Sequence, residues 1–238
     1  MDVLENLNFP KAVHELLPKL LGSALHIVIF TTLIGFLLAI VIGFILALGR
    51  VSKNKILNRI IIAFQELIRG TPLLVQMVYV YYVVPLLIEL AAALLGSKDF
   101  NLDMPTATAG IIALGVNYGT YISEVIRSAI LSVDHGQKEA ALALGCSPLQ
   151  AMFEIIIPQA VKNSIPVFCN YLIMMVKDTS LMAYITAQEF LMTTKAYTAQ
   201  TFLTIESYTI LAGVYLIICL PLAFLVKLLE RKLNKGRR

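Results

Sequence analysis

Charged residues are scarce in this chain. Of its 238 residues only 14% are charged, against about 25% in an average soluble domain, and 58% are hydrophobic. Residues 20–49 contain no Asp, Glu, Lys or Arg, and this run exceeds the ~20 residues that a helix needs to cross the hydrocarbon core. A soluble enzyme, a disordered chain and a collagen-like chain are therefore excluded, and an integral membrane protein is predicted.

Several motifs are also missing. The three cysteines form no C-x-x-C pair, so neither a disulfide framework nor a metal site is indicated. The predicted spans hold no Ser/His pair, paired Asp or H-E-x-x-H, which argues against an intramembrane hydrolase and predicts no catalytic residue. Asp2 and Glu5 stand where a cleavable signal peptide would be basic. Six of the basic residues lie in the last twelve positions, so the net charge of +4 is not a nucleic-acid signal.

Long apolar stretches predict an all-α membrane domain over residues 23–232 with five spans. An amphipathic interfacial segment, 1–22, precedes them, and a basic cytoplasmic tail, 233–238, follows. The spans are predicted at about 23–49, 57–95, 105–132, 163–185 and 206–229, with a loop at 133–162. In the first span small residues recur every four positions, which lets another helix approach closely: Thr31, Gly35, Ala39, Gly43 and Ala47.

The second stretch is about twice as long as a straight helix needs to cross the membrane. A break is predicted at 70–72 because Gly70 and Thr71 precede Pro72, which disfavours helix in the residue before it and has no N–H of its own. If the broken stretch crosses once, the two sides of the membrane hold twelve and four basic residues; if it crosses twice, they hold ten and six. The positive-inside rule therefore favours five spans, with the N-terminus outside and the C-terminus in the cytoplasm.

Charged residues inside the predicted spans are the candidates for a functional site. Unpaired, each costs roughly 2.5–3.5 kcal/mol at a helix centre, so they are expected to pair or to face a wet cavity. Glu66 and Arg69, like Glu124 and Arg127, are spaced i, i+3 on one helix face, whereas the neighbours Lys177 and Asp178 project about 100° apart.

Glu66 and Glu124 are both expected roughly 12–14 Å from the cytoplasmic boundary, at the depth of the break. Asn117, Thr120 and Tyr121 share the face of Glu124. Discontinuous helices expose N–H groups and carbonyls that suit a carboxylate and an ammonium. A substrate cavity is therefore predicted here, although the charges could instead only hold the helices together.

The loop at 133–162 predicts two short helices, one over 137–144 that ends at Gly145 and one that begins after Ser147 as N-cap. Pro148 then occupies the first turn, and Gln150 completes a capping box. A rigid pair of helices between two spans is typical of a docking element for a cytosolic partner.

The same loop carries Glu139-Ala140-Ala141, then Gly145, Ile155, Ile157 and Pro158, and this spacing resembles the EAA loop of ABC importer permeases. Ile157 stands where that family usually has Leu. Three further stretches resemble the polar amino-acid permeases of the histidine, arginine and glutamine type: Glu66 to Gln76, Tyr121 to Arg127, and Lys177 to Leu181.

The resemblance implies a five-span permease of the bacterial plasma membrane that pairs with a second permease copy, identical or paralogous. An ABC ATPase subunit would dock through Glu139, Ala140, Ala141, Gly145 and Pro158, and an extracytoplasmic binding protein would deliver the amino acid. No G-x-x-x-x-G-K-[ST] phosphate loop is present, so ATP and Mg²⁺ are expected on the partner and no cofactor in this chain.

The expected function is an alternating-access pathway for a polar, and by preference basic, amino acid. The predicted substrate-binding residues are Glu66, Thr71, Gln76, Asn117, Thr120, Tyr121 and Glu124, and the predicted gating or pathway residues are Arg69, Arg127, Lys177 and Asp178. Two alternatives stay open: a channel or ion-coupled carrier that works without an ATPase, and a purely structural subunit.

Overall fold

The computed structural model describes residues 7–97 and 100–234, and within these ranges the chain forms helices joined by turns and loops, with no strand. The first six residues of the predicted interfacial segment and residues 235–238 of the predicted tail lie outside the described residues. The helices are α1 (Phe9–Lys19), α2 (Leu25–Val51), α3 (Lys55–Arg69), α4 (Leu73–Val78), α5 (Val84–Leu94), α6 (Thr106–Leu131), α7 (His135–Ala143), α8 (Pro148–Gln150), α9 (Ile157–Asp178), α10 (Phe190–Thr201) and α11 (Thr204–Asn234).

Segments of other helical type continue several of these helices. π-Helical segments at Leu20–Ala24, Tyr79–Val83 and Ala151–Ile156 join α1 to α2, α4 to α5, and α8 to α9, and a 3₁₀ segment at Thr179–Ile185 extends α9. Three stretches of the described chain are long and apolar enough to cross a membrane: Phe9–Val51, Leu73–Leu94 and Thr204–Lys232. α6 and α9 begin and end near the third and fourth predicted spans, and the count of five spans stays a prediction.

The helix leaves its regular path where the sequence combines Gly70, Thr71 and Pro72. α3 ends at Arg69, Pro72 adopts an extended conformation as the N-cap of the next helix, and α4 begins at Leu73. The long second stretch therefore consists of two half-helices: α3, predicted to be the inner one, and the helix that runs from α4 through α5, predicted to be the outer one.

The stripe of small residues on α2 is buried, from Thr31 to Ala47, and it packs against α6. The two backbones come so close that a Cβ added to Gly43 would lie 2.6 Å from Ile122 Cγ2 and 3.1 Å from the Gly119 carbonyl oxygen. A Cβ added to Gly119 would in turn lie 2.8 Å from Ile42 Cγ2. Each helix thus inserts an isoleucine over a glycine of the other, as small residues permit between membrane helices.

α2 and α6 run in the same direction. The contact of Gly35 with Leu114 is followed, further along both helices, by the contact of Gly43 with Ile122. Partners that advance together along two helices define a parallel pair, which constrains the number of crossings between them.

The N-terminal helix α1 is fixed to α10 and α11 by polar contacts as well as by its buried apolar face. The backbone N–H of Asn8 donates to the Glu206 carboxylate at 2.7 Å, and the Tyr197 hydroxyl donates to Glu15 Oε2 at 3.0 Å. α10 lies in the connection 186–205, where the sequence analysis placed no helix.

The α10 helix begins at a buried carboxylate. Glu189 accepts hydrogen bonds from the amides of Leu191 and Met192 at 2.8 and 2.7 Å. Burial raises the pKa of the Glu189 carboxyl to about 7, although those two amides and Lys195 act to lower it. Glu189 was not among the predicted functional residues, and here it serves as a helix cap.

The close packing of α2 and α6 leads to a stability prediction. Gly43→Ala places a Cβ against Ile122 and a backbone carbonyl, so we expect it to lower the free energy of unfolding by about 1–3 kcal/mol. Gly213→Ala on α11 is the matched control, because its Cβ meets nothing within 4 Å and alanine favours a helix. Thermal unfolding of the detergent-purified protein measures both; equal midpoints for the two variants would contradict the packing.

Candidate functional site

The break between α3 and α4 leaves carbonyl groups without a helical partner, because Pro72 has no N–H. Two side chains supply donors in its place. The Thr71 hydroxyl lies 3.1 Å from the Leu67 carbonyl oxygen and 3.3 Å from that of Ile68, and the Gln76 Nε2 group donates to the carbonyls of Ile68 and Thr71 at 2.5 and 3.0 Å. These bonds stabilise a backbone that lipid alone would leave unsatisfied.

The same glutamine connects the break to α6. Asn117 Nδ2 donates to Gln76 Oε1 at 3.0 Å, so both ends of the Gln76 amide are engaged. Three predicted site residues, Thr71, Gln76 and Asn117, therefore lie in one hydrogen-bonded cluster.

A cavity of about 570 Å³ opens beside this cluster, between the break, α6 and the end of α9. Its volume falls in the range of small-molecule sites. Its lining consists of Arg69, Gly70, Thr71, Pro72, Leu73, Asn117, Tyr118, Tyr121, Tyr171, Met174 and Asp178.

One wall of the cavity is aromatic and ends at a carboxylate. The buried Tyr118 donates its hydroxyl to Asp178 Oδ2 at 2.7 Å. The Tyr171 ring lies edge-on to Tyr118, with centroids 6.0 Å apart, and at 6.3 Å from Tyr121. Asp178 is thus held at the cavity by a phenol on the facing helix.

Arg69 supplies the opposite charge at the break. Its Nε group donates to the Gln65 carbonyl at 3.3 Å, and its side chain lines the cavity. Arg69 lies in the last turn of α3, where a basic side chain commonly bonds to main-chain carbonyls.

The two predicted acid–base pairs behave differently. Glu124 and Arg127 form a salt bridge, with Arg127 Nε 3.1 and 3.2 Å from the two carboxylate oxygens. Among residues 7–97 and 100–234 it is the only salt bridge, so the expected pairing of Glu66 with Arg69 is absent there. Arg69 bonds the Gln65 carbonyl instead, and the Glu66 side chain is exposed.

Six predicted residues lie outside the cavity lining: Glu66, Gln76, Thr120, Glu124, Arg127 and Lys177. The Thr120 hydroxyl is buried and donates to the Asn117 carbonyl at 2.7 Å within α6. Lys177 is exposed and does not line the cavity, whereas its neighbour Asp178 does. The substrate roles of these residues stay predictions.

Tyr118, Tyr171 and Met174 were not among the predicted site residues. A signal was present, because Tyr171 and Asp178 are seven residues, or two helical turns, apart on one face of α9. The analysis also missed Gln65, which is buried next to Glu66 and donates to Ser123 Oγ at 2.6 Å across α3 and α6.

The loop at 133–162 contains the predicted pair of short helices. α7 covers Glu139, Ala140 and Ala141 and ends before Gly145, which has a φ of +88°. The capping box between Ser147 and Gln150 is confirmed, with both bonds formed at 2.8 and 3.2 Å.

This loop has exposed apolar side chains at its surface. Leu144 and Leu149 are 85% and 71% exposed, and Pro158 is exposed in the first turn of α9. Such a surface is typical of a protein docking site.

Within the described residues, no three His, Cys, Asp or Glu side chains are placed to hold a metal ion.

Comparisons with known proteins give a consistent picture. Residues 39–235 match the family described as "binding-protein-dependent transport system inner membrane component". The chain is 32% identical to the glutamine transport system permease protein GlnP of Escherichia coli K12, over 94% of this chain and 96% of that protein. It is 33% identical to the L-cystine transport system permease protein TcyB of Bacillus subtilis 168, over 91% and 87% respectively.

Among solved structures, the chain resembles a crystal structure of an amino acid ABC transporter with histidines. The TM-score is 0.80 and the identity 30%, and the match covers 95% of this chain and 99% of the other.

The hydrogen bonds of Gln76 lead to a second prediction. Gln76→Glu keeps the shape but removes the N–H donors that serve Ile68 and Thr71, since a carboxylate donates none and a carboxylic acid only one. We expect a loss of about 1–3 kcal/mol in the free energy of unfolding. Gln200→Glu, at an exposed position on α10, is the control, and thermal unfolding in detergent compares them. Equal stability of both variants would show that Gln76 does not hold the break.

Proposed function

Because the chain belongs to the family of inner membrane components of binding-protein-dependent transport systems, we propose that it is the permease subunit of an ATP-driven amino-acid importer. The observation that carries the proposal is the cavity at the helix break, which places a guanidinium and a carboxylate where an amino-acid head group can lie between them. The glutamine and cystine permeases among its relatives support the amino-acid class.

In the proposed binding mode, Asp178 receives the α-ammonium group. Arg69 receives the α-carboxylate, together with the start of the outer half-helix at Leu73, where the first N–H groups of a helix lack intrahelical acceptors. Asn117 and Tyr121 border the remaining space. Helix ends that meet a substrate at such a break are a recurrent device of transporters.

From the sequence, Glu66 and Glu124 were predicted as substrate-binding residues and a basic substrate was preferred. Glu124 is engaged with Arg127, and neither glutamate lines the cavity. Substrate binding by Glu66 and Glu124, with a basic substrate, is therefore the competing prediction. The experiments below distinguish it from the binding mode proposed here.

For the topology we propose five spans with the N-terminus outside. The parallel packing of α2 and α6 supports it. Parallel spans 1 and 3 require one crossing between them, so the broken stretch α3–α5 counts as a single span, which agrees with the distribution of basic residues.

The proposed partners follow from the family and the loop. A family of binding-protein-dependent systems needs an extracytoplasmic binding protein, and a separate ATPase subunit hydrolyses ATP with its Mg²⁺. We propose that the ATPase docks on the loop that presents Glu139, Leu144 and Leu149, and that a second permease copy completes the pathway. Closure of the ATPases would then move α7 and α8 and alternate the access to the cavity.

Reconstitution into liposomes tests this function against its alternatives. We expect uptake of radiolabelled amino acid only when the permease, its ATPase, its binding protein and ATP are all present. The chain alone, in liposomes of the same composition, is the control. Uptake by the chain alone would identify a channel or ion-coupled carrier, and a complex that binds no amino acid would identify a structural subunit.

The binding mode leads to a separate prediction. Asp178→Asn removes the negative partner of the ammonium, and a hydrogen bond to a charged group is worth about 1.5–3 kcal/mol, so we expect about 10- to 100-fold weaker binding to the purified complex. Glu66→Gln and Glu124→Gln are the comparison variants, and we expect their affinities to stay near that of the unaltered protein. Loss of affinity in those two variants, with Asp178→Asn unaffected, would show that the glutamates and not Asp178 bind the ammonium.

A further inference from the structure

We propose that the cavity selects amino acids whose side chain carries no net charge, and that it excludes basic and acidic ones. This inference rests on the proposed function and concerns the same cavity. It is based on the balance of charges on and around the cavity wall.

The lining contains one carboxylate, Asp178, and one guanidinium, Arg69. The head group of an amino acid carries one positive and one negative charge, so it uses both partners. A cationic side chain would then lie in the membrane interior without a counter-charge, which is strongly unfavourable.

The nearest surroundings do not provide a second free carboxylate. Glu124 is already bonded to Arg127. Its carboxylate is therefore not free to serve as the counter-charge of a lysine or arginine side chain. Glu66 is exposed and outside the lining.

The wall opposite the break suits a neutral side chain. Tyr118, Tyr121, Tyr171 and Met174 offer ring edges, hydroxyls and a thioether. An aromatic face attracts a cation, but the rings of Tyr118 and Tyr121 are already packed against the ring of Tyr171. A carboxamide or thioether side chain can contact this wall without an unpaired charge.

An anionic side chain meets the same difficulty. Arg69 is the cation on the lining and would already bond the α-carboxylate. Glutamate, which has nearly the shape of glutamine, therefore tests the charge rule separately from size.

Equilibrium binding of four radiolabelled amino acids to the detergent-purified permease–ATPase complex, without binding protein, tests the inference. We expect glutamine to bind at least about tenfold more tightly than glutamate, lysine or arginine, because only glutamine leaves no charge unpaired. Lysine or arginine binding as tightly as glutamine would overturn the inference and leave the proposed function intact. If none of the four bound, the proposed function would fail, and the inference with it.

A designed reversal uses Met174, which lines the cavity and is 46% exposed. Met174→Glu adds a carboxylate to the wall, so we expect the preference to shift from glutamine toward lysine and arginine by about tenfold or more. Met174→Gln has the same shape and no charge, so the difference between the two variants measures the effect of the added carboxylate alone. An unchanged order of amino-acid affinities in a folded Met174→Glu variant would overturn the inference. If that variant does not fold, the binding of the four amino acids to the unaltered protein decides the inference.

Discussion

The structure depends on the contact between α2 and α6, whose backbones touch over Gly43 and Gly119. Hydrophobic burial does not drive helices together in lipid, so their association relies on close packing. The small stripe of α2 makes that packing available along four helical turns, from Thr31 to Ala47. Because the contact fixes the rotation of α6, it also fixes the opposite face of α6, on which Asn117 and Tyr121 border the cavity.

α6 also supports the broken helix, through the bond from Asn117 to Gln76. A helix interrupted at mid-membrane exposes carbonyls that lipid cannot solvate. Gln76 provides the donors, and Asn117 on α6 occupies the other end of its amide. The glycine contact and the helix break are thus mechanically linked, since a shift of α6 would remove a partner from the residue that stabilises the break.

Local chemistry in the sequence was enough to predict the break at 70–72, the small stripe and the capping box of Ser147 and Gln150. These features depend on proline, glycine and capping residues acting within a few positions. The pairing of charges was predictable only in part. Glu124 and Arg127 pair, whereas Glu66 and Arg69, with the same spacing, do not: Arg69 lies in the last turn of α3 and donates to the Gln65 carbonyl instead.

Contacts between residues that are distant in the sequence were not predicted. Tyr118 and Asp178 are sixty residues apart and meet only because α6 and α9 pack side by side. One sequence offers no signal for such a contact. The helix α10 was missed because its cap, Glu189, was not recognised in a stretch that has little apolar periodicity.

The intramembrane charges divide into two kinds, and the division bears on mechanism. Glu124 and Arg127 neutralise each other within one helix. Arg69 on α3 and Asp178 on α9 instead stand on different walls of the cavity. In the proposed binding mode the substrate completes their pairing, so it connects the break to α9 by electrostatic attraction. A ligand shifts a conformational equilibrium only through a difference in affinity between states. A zwitterion held between two helices gives such a difference, because its two contacts form together only when the helices are at the right separation.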